Sequence, residues 1–193
     1  MRLNMEEQNL KKVDLSKFNN SWYKPGNPFV RFVWYFRNII LFKSSLPWPN
    51  GLKIFVLRFF GAKVGKGVFI KPCVNIKYPW FLEIGDNVWI GEEVWIDNLG
   101  KVKIGNNVCL SQGAMLLCGN HDYKKETFDL IVGDITLEEG VWVGSKAVVC
   151  PGVTMKSHSI LTVGSVLTKD AEAYGIYQGN PAELVKKRVI SEE

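Results

Sequence analysis

Two of the 193 residues are histidines, His121 and His158. An unperturbed imidazole titrates near pH ~6.5 and can therefore remove a proton from a hydroxyl at neutral pH. His121 stands in the run Gly-Asn-His-Asp, three positions after Cys118. This segment could support general base catalysis, with a nucleophilic Cys118 as the alternative. A lone histidine is more often structural. The assignment of His121 as a base therefore depends on its position in the fold.

The sequence on both sides of His121 repeats with a period of six residues. An aliphatic residue recurs at position i, often with Gly at i+1 and a small or β-branched residue at i+4. Hexads of this kind begin at 64, 70, 84, 90, 104, 110, 143, 149 and 161. A period of six fits neither a helical stripe nor an alternating strand. It predicts coils with three short faces that stack into a parallel β-helix of about five coils.

The register of the repeat breaks once, between Leu116 and Leu137. These positions lie twenty-one residues apart where eight are expected. The sequence therefore predicts an inserted loop at 118–134 with His121 near its start, and a loop on a rigid scaffold is a common place for function. His158 falls at an outward corner and is interpreted as a surface residue.

The chain length and a hydrophobic fraction of 47% predict one sizeable core. We expect an N-terminal capping region (1–62), a β-helix (63–172) and a C-terminal turn and helix (173–193). The Asn-Pro-Ala-Glu run at 180–183 matches a helix start, so a helix is predicted through about 190. All four cysteines lack paired spacing, which favours reduced thiols and a cytoplasmic protein.

The N-terminal region carries ten Lys or Arg residues and three acids. Apolar patterning predicts helices at 27–44 and 52–60, with Phe29, Phe32 and Phe36 on the face that packs against the first coil. The basic face would then point outward and could rest on an anionic membrane surface. No nucleic-acid motif, secretory signal or membrane-spanning stretch is found, so no nucleic-acid partner is expected.

The runs 84–111 and 140–170 resemble the hexapeptide-repeat acyltransferases, and motifs E-I-G-D-N-V-W-I-G, G-N-H-D and G-N-P-A carry the likeness. The sequence is similar to galactoside and maltose O-acetyltransferases and above all to the colanic-acid acetyltransferase group. The resemblance implies a left-handed β-helix, acetyl-CoA as donor and a homotrimer with sites between subunits. It also implies direct attack on the thioester, without an acyl-enzyme. Two histidines are too few for the three-histidine zinc site of γ-type carbonic anhydrases on the same fold, so no metal is expected.

The resemblance also implies roles for particular residues. His121 matches the catalytic base, and Asp129 is favoured over Asp122 as the acid that orients it. Asp97 and Asn98 resemble acceptor contacts. Residues that match the donor-binding stretch are Trp142, Gly144, Ser145, Gly164, Ser165, Thr168, Lys169 and, on the C-terminal segment, Lys186. Thr162 and Val163 depart from the family's Gly-Ala, which bears on donor affinity or acyl length.

The leading hypothesis is an O-acetyltransferase that acts on a sugar hydroxyl in surface or exopolysaccharide synthesis. An N-acyltransferase of an amino sugar and a non-catalytic β-helix scaffold remain as alternatives. Trp89 and Trp142 fall in one outward column and Trp95 in another, so we expect a subunit interface or a sugar platform there.

Overall fold

A computed structural model describes residues 11–191, and most of them form a parallel β-helix. Equivalent strands of successive coils pair in parallel and build three sheets, A, B and C. Sheet A contains β1 (Lys63–Val64), β4 (Leu82–Ile84), β7 (Val102–Ile104), β12 (Ile135–Leu137) and β15 (Thr154–Met155). Sheet B contains β2 (Phe69–Ile70), β5 (Trp89–Ile90), β8 (Cys109–Leu110), β13 (Trp142–Val143), β16 (Ile160–Leu161), β18 (Gly175–Gly179) and β19 (Ala182–Lys187). Sheet C contains β3 (Asn75–Ile76), β6 (Trp95–Asp97), β9 (Met115–Leu117), β14 (Val148–Val149) and β17 (Val166–Leu167), and a separate hairpin pairs β10 (Gly119–His121) with β11 (Leu130–Val132).

Inward-pointing aliphatic side chains fill the β-helix. In sheet A, Ile84 pairs with Ile104 and Ile104 with Leu137, so each inward column follows the coils. These side chains are almost fully buried, as are Val88 and Val108 at i+4 positions. A buried aliphatic side chain contributes about 1.5–3 kcal/mol relative to an exposed one, and only a stack of coils buries the whole column. The predicted parallel β-helix is confirmed.

The β-helix has about six coils, where about five were predicted. β18 continues sheet B beyond β16, with Ile160 paired to Ile176. Ala171 forms a parallel bridge to Met155 of sheet A. A terminal coil has only one neighbouring coil, so its sequence departs from the repeat that predicted the others.

The helix predicted over 180–190 is wrong. Strand β19 occupies this segment and pairs antiparallel with β18 through a turn that contains Gly179. The Asn-Pro-Ala-Glu run, typical of a helix start, lies at this turn. β18 is at the open edge of sheet B, and its unpaired backbone groups offer hydrogen bonds that outweigh a weak helical preference. The last two residues of the predicted C-terminal region, 192–193, lie outside the described residues.

Helices precede the β-helix, as predicted, although residues 1–10 of the N-terminal region lie outside the described residues. These helical elements are a 3₁₀ turn (Leu15–Lys17), α1 (Pro28–Arg37), a π-helical turn that extends it (Asn38–Phe42) and α2 (Asn50–Phe59). A second 3₁₀ turn, Pro79–Phe81, lies within the β-helix between β3 and β4. Asn27 caps α1, since its side chain accepts hydrogen bonds from the first backbone N–H groups of the helix. No helix between residues 11 and 191 is long and apolar enough to cross a bilayer.

The face of α1 that packs on the first coil differs from the predicted one. Phe29, Phe32 and Phe36 are exposed, whereas Trp34 and, in the π-helical turn, Phe42 are buried. The end of the first coil presents unpaired backbone groups as well as apolar side chains. A helix face that combines aromatic surface with hydrogen-bonding groups therefore fits it better than the purely apolar stripe does.

Polar side chains of the two helices pair with the open backbone edge of the first coil. Trp34 Nε1 donates to the Ile76 carbonyl at 3.0 Å, and Lys53 Nζ donates to the Ile70 carbonyl at 3.0 Å. Asn50 Oδ1 accepts a hydrogen bond from Ile70 N at 2.9 Å. Buried backbone groups without partners are costly, so these contacts provide the cover that the open end of the β-helix requires.

Candidate active site

The inserted loop 118–134 leaves the β-helix at the corner between sheets C and A, and its two strands place His121 on a short hairpin. The base of the hairpin is tied to the coil in two places. Gly133 N donates to the Cys118 carbonyl at 2.9 Å, and Cys118 N donates to the Asp97 carbonyl at 3.2 Å. The hairpin is therefore anchored to the rigid coils beneath it.

The half-buried imidazole of His121 is held by Phe128. Nδ1 lies 2.9 Å from the carbonyl oxygen of Phe128, and the two rings stack with centroids 4.4 Å apart and planes 6° apart. A carbonyl oxygen only accepts hydrogen bonds, so Nδ1 carries the proton of the neutral imidazole. Nε2 keeps a free lone pair and is the atom that can take a proton from a substrate.

Neither Asp122 nor Asp129 is hydrogen-bonded to the imidazole of His121 in the described structure. Asp129 accepts a hydrogen bond from Lys125 Nζ at 2.9 Å. Hydrogen bonds from Thr127 and then Lys125 hold the pKa of Asp129 below its ordinary value. Asp122 bonds to the backbone of the same loop. The carbonyl of Phe128 takes the orienting position expected for Asp129, and a backbone carbonyl leaves no signal in the sequence.

An N-terminal segment lies against the hairpin, which the sequence did not indicate. The ring centroid of Phe18 is 5.7 Å from that of His121. Asp14 N donates to the Glu126 carbonyl at 2.9 Å, and Lys17 forms an ion pair with the Glu126 carboxylate. The ion pair joins residues 109 positions apart, and no periodic pattern marks such a contact.

Cys118 is poorly suited to act as a nucleophile. Its side chain is fully buried, and burial raises the pKa of Cys118 to about 12. The thiolate is the reactive form, and at neutral pH this group stays a thiol. All four cysteines are free, and the cytoplasmic location inferred from them stays a prediction.

The two predicted acceptor residues have different environments. Asn98 is fully buried, accepts hydrogen bonds from the backbone N–H groups of Lys77 and Tyr78, and donates to the Tyr78 carbonyl. Its side chain therefore stabilises the corner of the preceding coil and is not available to bind an acyl acceptor. Asp97 Oδ1 lies 2.9 Å from Lys77 Nζ, but in an orientation too poor for a hydrogen bond. This oxygen is buried, so the structure gives an acceptor hydroxyl no open path to it, and the acceptor role of Asp97 stays a prediction.

A cavity of about 610 Å³ lies between α1 and the outer face of sheet C. Its polar and aromatic lining includes Arg31, Tyr35, Lys43, Lys77, Trp95 and Asp97. A Cβ atom built on Gly119 would lie 3.9 Å from Asp97 Oδ2. The cavity therefore adjoins the base of the hairpin that carries His121.

Several predicted donor residues line the outer face of sheet B and its corner with sheet C. Trp142 Nε1 donates to Ser111 Oγ at 2.9 Å. A Cβ atom on Gly144 would lie 2.7 Å from Val163 N. The close packing of neighbouring coils is therefore enough to explain this glycine, without a role in donor binding. Gly164 has a φ of 66° and open space beside it, which a turn explains.

Ser165 differs from the prediction because it is buried. Its hydroxyl accepts a hydrogen bond from Gly179 N at 3.0 Å, which joins two neighbouring turns of the chain. Ser165 therefore stabilises the interior of the β-helix and is not positioned to contact the acyl donor. The remaining predicted donor residues are partly or fully exposed: Ser145, Thr168, Lys169 and Lys186.

The predicted donor residues do not converge on His121 within one described chain. Gly144 and Gly164 lie at the corner between sheets B and C. Thr168 lies at the corner between sheets C and A, which is also where the hairpin begins. Sheet C therefore lies between the corner with Gly144 and Gly164 and the corner where the hairpin of His121 begins.

No family model matches the sequence. The putative colanic acid biosynthesis acetyltransferase WcaF of Escherichia coli (strain K12) is 34% identical over 180 residues, which cover 93% of this chain and 99% of that relative. The galactoside O-acetyltransferase of the same organism is 29% identical over 149 residues, with 76% of this chain and 73% of the relative covered. A hexapeptide-repeat acetyltransferase from Vibrio cholerae O1 biovar eltor, complexed with acetyl coenzyme A, has a similar structure. The TM-score is 0.74 at 20% identity, over 82% of this chain and 87% of that chain.

The likeness to the first of these relatives extends over nearly the whole of both chains, and the solved structure shares the β-helix. The chain therefore belongs to the hexapeptide-repeat, left-handed β-helix acetyltransferases, in the group of the colanic acid acetyltransferases.

Proposed function

We propose that the protein transfers an acetyl group from acetyl-CoA to a sugar hydroxyl in the synthesis of a surface or exopolysaccharide. The observation that carries the proposal is the contact between His121 and the Phe128 carbonyl, which leaves Nε2 free to act as a base. The names of the two E. coli relatives support O-acetylation and a polysaccharide pathway. The acetyl coenzyme A complex of the V. cholerae neighbour supports the donor.

In the proposed reaction, His121 Nε2 accepts the proton of the acceptor hydroxyl while the oxygen attacks the thioester carbonyl carbon. The carbon–sulfur bond then breaks, and the imidazolium gives its proton to the leaving thiolate. The base is regenerated and no acyl-enzyme forms. The Phe128 carbonyl accepts a hydrogen bond from Nδ1 throughout, so it orients the ring and stabilises the imidazolium.

The proposed active unit is a homotrimer with sites between adjacent subunits. Trp89 and Trp142 are exposed and both flank Cys109 in one column on the outer face of sheet B. Exposed aromatic surface of this kind is typical of an interface between subunits. A neighbouring copy can also bring the corner at Gly144 of one chain to the hairpin of another, which accounts for their separation within one chain.

The protein, incubated with acetyl-CoA and a panel of neutral, acidic and amino sugars, tests this proposal. We expect thiol release that depends on the acceptor, with an acetyl ester as product, since the proposed nucleophile is a hydroxyl. Thiol release is followed with a thiol-reactive dye and the product by mass spectrometry. An amide on an amino sugar would favour N-acylation. A lack of thiol release with every acceptor would contradict the proposal.

We also propose peripheral contact with an anionic membrane surface. Phe29 and Phe32 on α1 and Phe55 and Phe59 on α2 are exposed. A groove of about 370 Å³ lies between the two helices. The region 1–62 carries ten Lys or Arg residues and three acids. Exposed aromatic side chains with surrounding cations are typical of interfacial membrane binding, so both kinds of residue are proposed to contribute.

Flotation with vesicles tests the membrane contact. We expect binding to vesicles that contain anionic lipid, weakened by high salt because screening reduces the electrostatic attraction. The double variant Phe55→Ser, Phe59→Ser should lose most of the binding. Val189→Ser is the matched control, because Val189 is 89% exposed on the C-terminal segment. Equal flotation of the double variant and the control, or no flotation of the unmodified protein, counts against the contact.

A further inference from the structure

The cavity between α1 and sheet C is lined by more positive than negative charge. Arg31 and Lys43 come from the N-terminal helical region, and Lys77 and Asp97 come from the corner of the coils. Lys77 Nζ is 2.9 Å from Asp97 Oδ1, so these two charges balance each other. Between residues 11 and 191, no carboxylate forms an ion pair with Arg31 or Lys43. Two cations of the lining, Arg31 and Lys43, therefore have no carboxylate partner in the described part of the chain.

Arg31 is the more informative of these cations. Its Nε atom is buried and has no hydrogen-bond partner within the described part of the chain, so other atoms of this side chain form its contact with the cavity. Guanidinium groups bind carboxylates and phosphates through paired N–H donors. The Arg31 side chain is thus suited to receive an oxyanion that enters the cavity.

The same cavity offers aromatic surface to a sugar. Tyr35 from α1 and Trp95 from β6 are exposed and contribute to its wall. Aromatic rings provide large apolar surface with a polar handle, which suits the mixed faces of a sugar ring. The lining therefore combines groups for an anion with groups for an uncharged ring.

One part of the cavity wall also lies near the start of the hairpin that carries the proposed base. Asp97 Oδ2 is 3.9 Å from the position of a Cβ on Gly119, and His121 is two residues further along β10. An extended strand rises by about 3.3 Å per residue, which places the backbone of His121 roughly 7 Å beyond Gly119. Asp97 therefore connects the wall of the cavity to the start of the hairpin that carries the proposed base.

We propose that this cavity binds a negatively charged group of the acceptor through Arg31 and Lys43, so that the acceptor is an anionic sugar. The inference rests on the proposed acetyl transfer to a sugar and specifies its substrate class. The anionic group is a carboxylate of an acidic sugar or a phosphate attached to a sugar. Both have the oxyanion that the guanidinium recognises.

Calorimetric titration tests the proposal without any need for turnover. The probes are methyl glucuronide, glucose 1-phosphate and the neutral methyl glucoside. We expect at least one anionic probe to bind about tenfold to a hundredfold more tightly than the neutral one, since a charge-assisted hydrogen bond contributes that much. The stronger of the two anionic probes identifies the source of the charge. Arg31→Gln should remove most of the preference and leave binding of the neutral probe unchanged.

Arg37→Gln is the matched control, because Arg37 lies on the same helix and lines the other groove. It should keep the preference for the anionic probe. Equal affinities for all three probes, no binding of either anion, or equal effects of the two substitutions overturn the proposal. Thiol release with neutral sugars alone would overturn it while leaving the acetyl transfer intact. Anion binding that depends on Arg31 without any thiol release would contradict the transfer and not the anion site.

Discussion

His121→Asn is expected to lower kcat by a factor of about 10² to 10⁴, because the acceptor hydroxyl loses its general base. Asn keeps a side chain that can hydrogen-bond to the Phe128 carbonyl, so the hairpin should retain its conformation. The KM for acetyl-CoA should change little, since the residues predicted to bind the acyl donor lie on other coils. Steady-state kinetics measure both quantities. Analytical ultracentrifugation should give the mass of a trimer for the variant and the unmodified protein alike.

Two further substitutions separate the catalytic role from a general effect on structure. His158→Asn is the matched control, since His158 has a φ of 60°, a conformation that Asn tolerates, and it should retain near wild-type kcat. Asp129→Asn should also have a small effect, because Nδ1 of the base is held by a carbonyl oxygen and not by this carboxylate. A near wild-type kcat for His121→Asn would falsify the base assignment. A loss in Asp129→Asn as large as in His121→Asn would contradict the orienting role of Phe128.

The features that the sequence predicted correctly are those that a period reveals. Ile84 and Ile104 share one inward column, and the twenty-residue step between them follows from the geometry of one coil. A coil cannot change its length without disturbing the column, so the interval between Leu116 and Leu137 identified the inserted loop. His121 was found because it stands in that loop. Its functional interpretation also needed the resemblance to a family.

Contacts without a period could not be predicted in the same way. Phe18 reaches the hairpin through a segment with no repeat, and the Phe128 carbonyl orients the base through backbone atoms that every residue has. The edge of β18 determined the structure of the C-terminal segment, although its local sequence favoured a helix. In α1, the apolar stripe at Phe32 predicted the wrong packing face, because the end of the first coil requires hydrogen-bond donors. Each of these depends on the environment that the rest of the fold supplies.

Trp34→Ala is expected to lower the free energy of unfolding by about 3–5 kcal/mol, the range for deletion of a large buried aromatic side chain. Trp34 is 2% exposed, packs against the rings of Phe42 and Phe60, and donates its Nε1 hydrogen to the Ile76 carbonyl. The substitution removes apolar contact and leaves a backbone carbonyl at the end of the first coil without its partner. Denaturant unfolding, followed by circular dichroism at one fixed protein concentration, measures the change.

Two companion variants identify the cause. Phe29→Ala deletes an aromatic ring from the same helix at a site that is 72% exposed, and it should change the free energy of unfolding by less than about 0.5 kcal/mol. Trp34→Phe keeps most of the ring and loses the hydrogen bond to Ile76, so its cost should be about 1–3 kcal/mol. If Phe29→Ala proved as destabilising as Trp34→Ala, the buried face of α1 would be wrongly placed. If Trp34→Phe cost nothing, the hydrogen bond would not stabilise the end of the β-helix, and apolar packing alone would explain how α1 covers it.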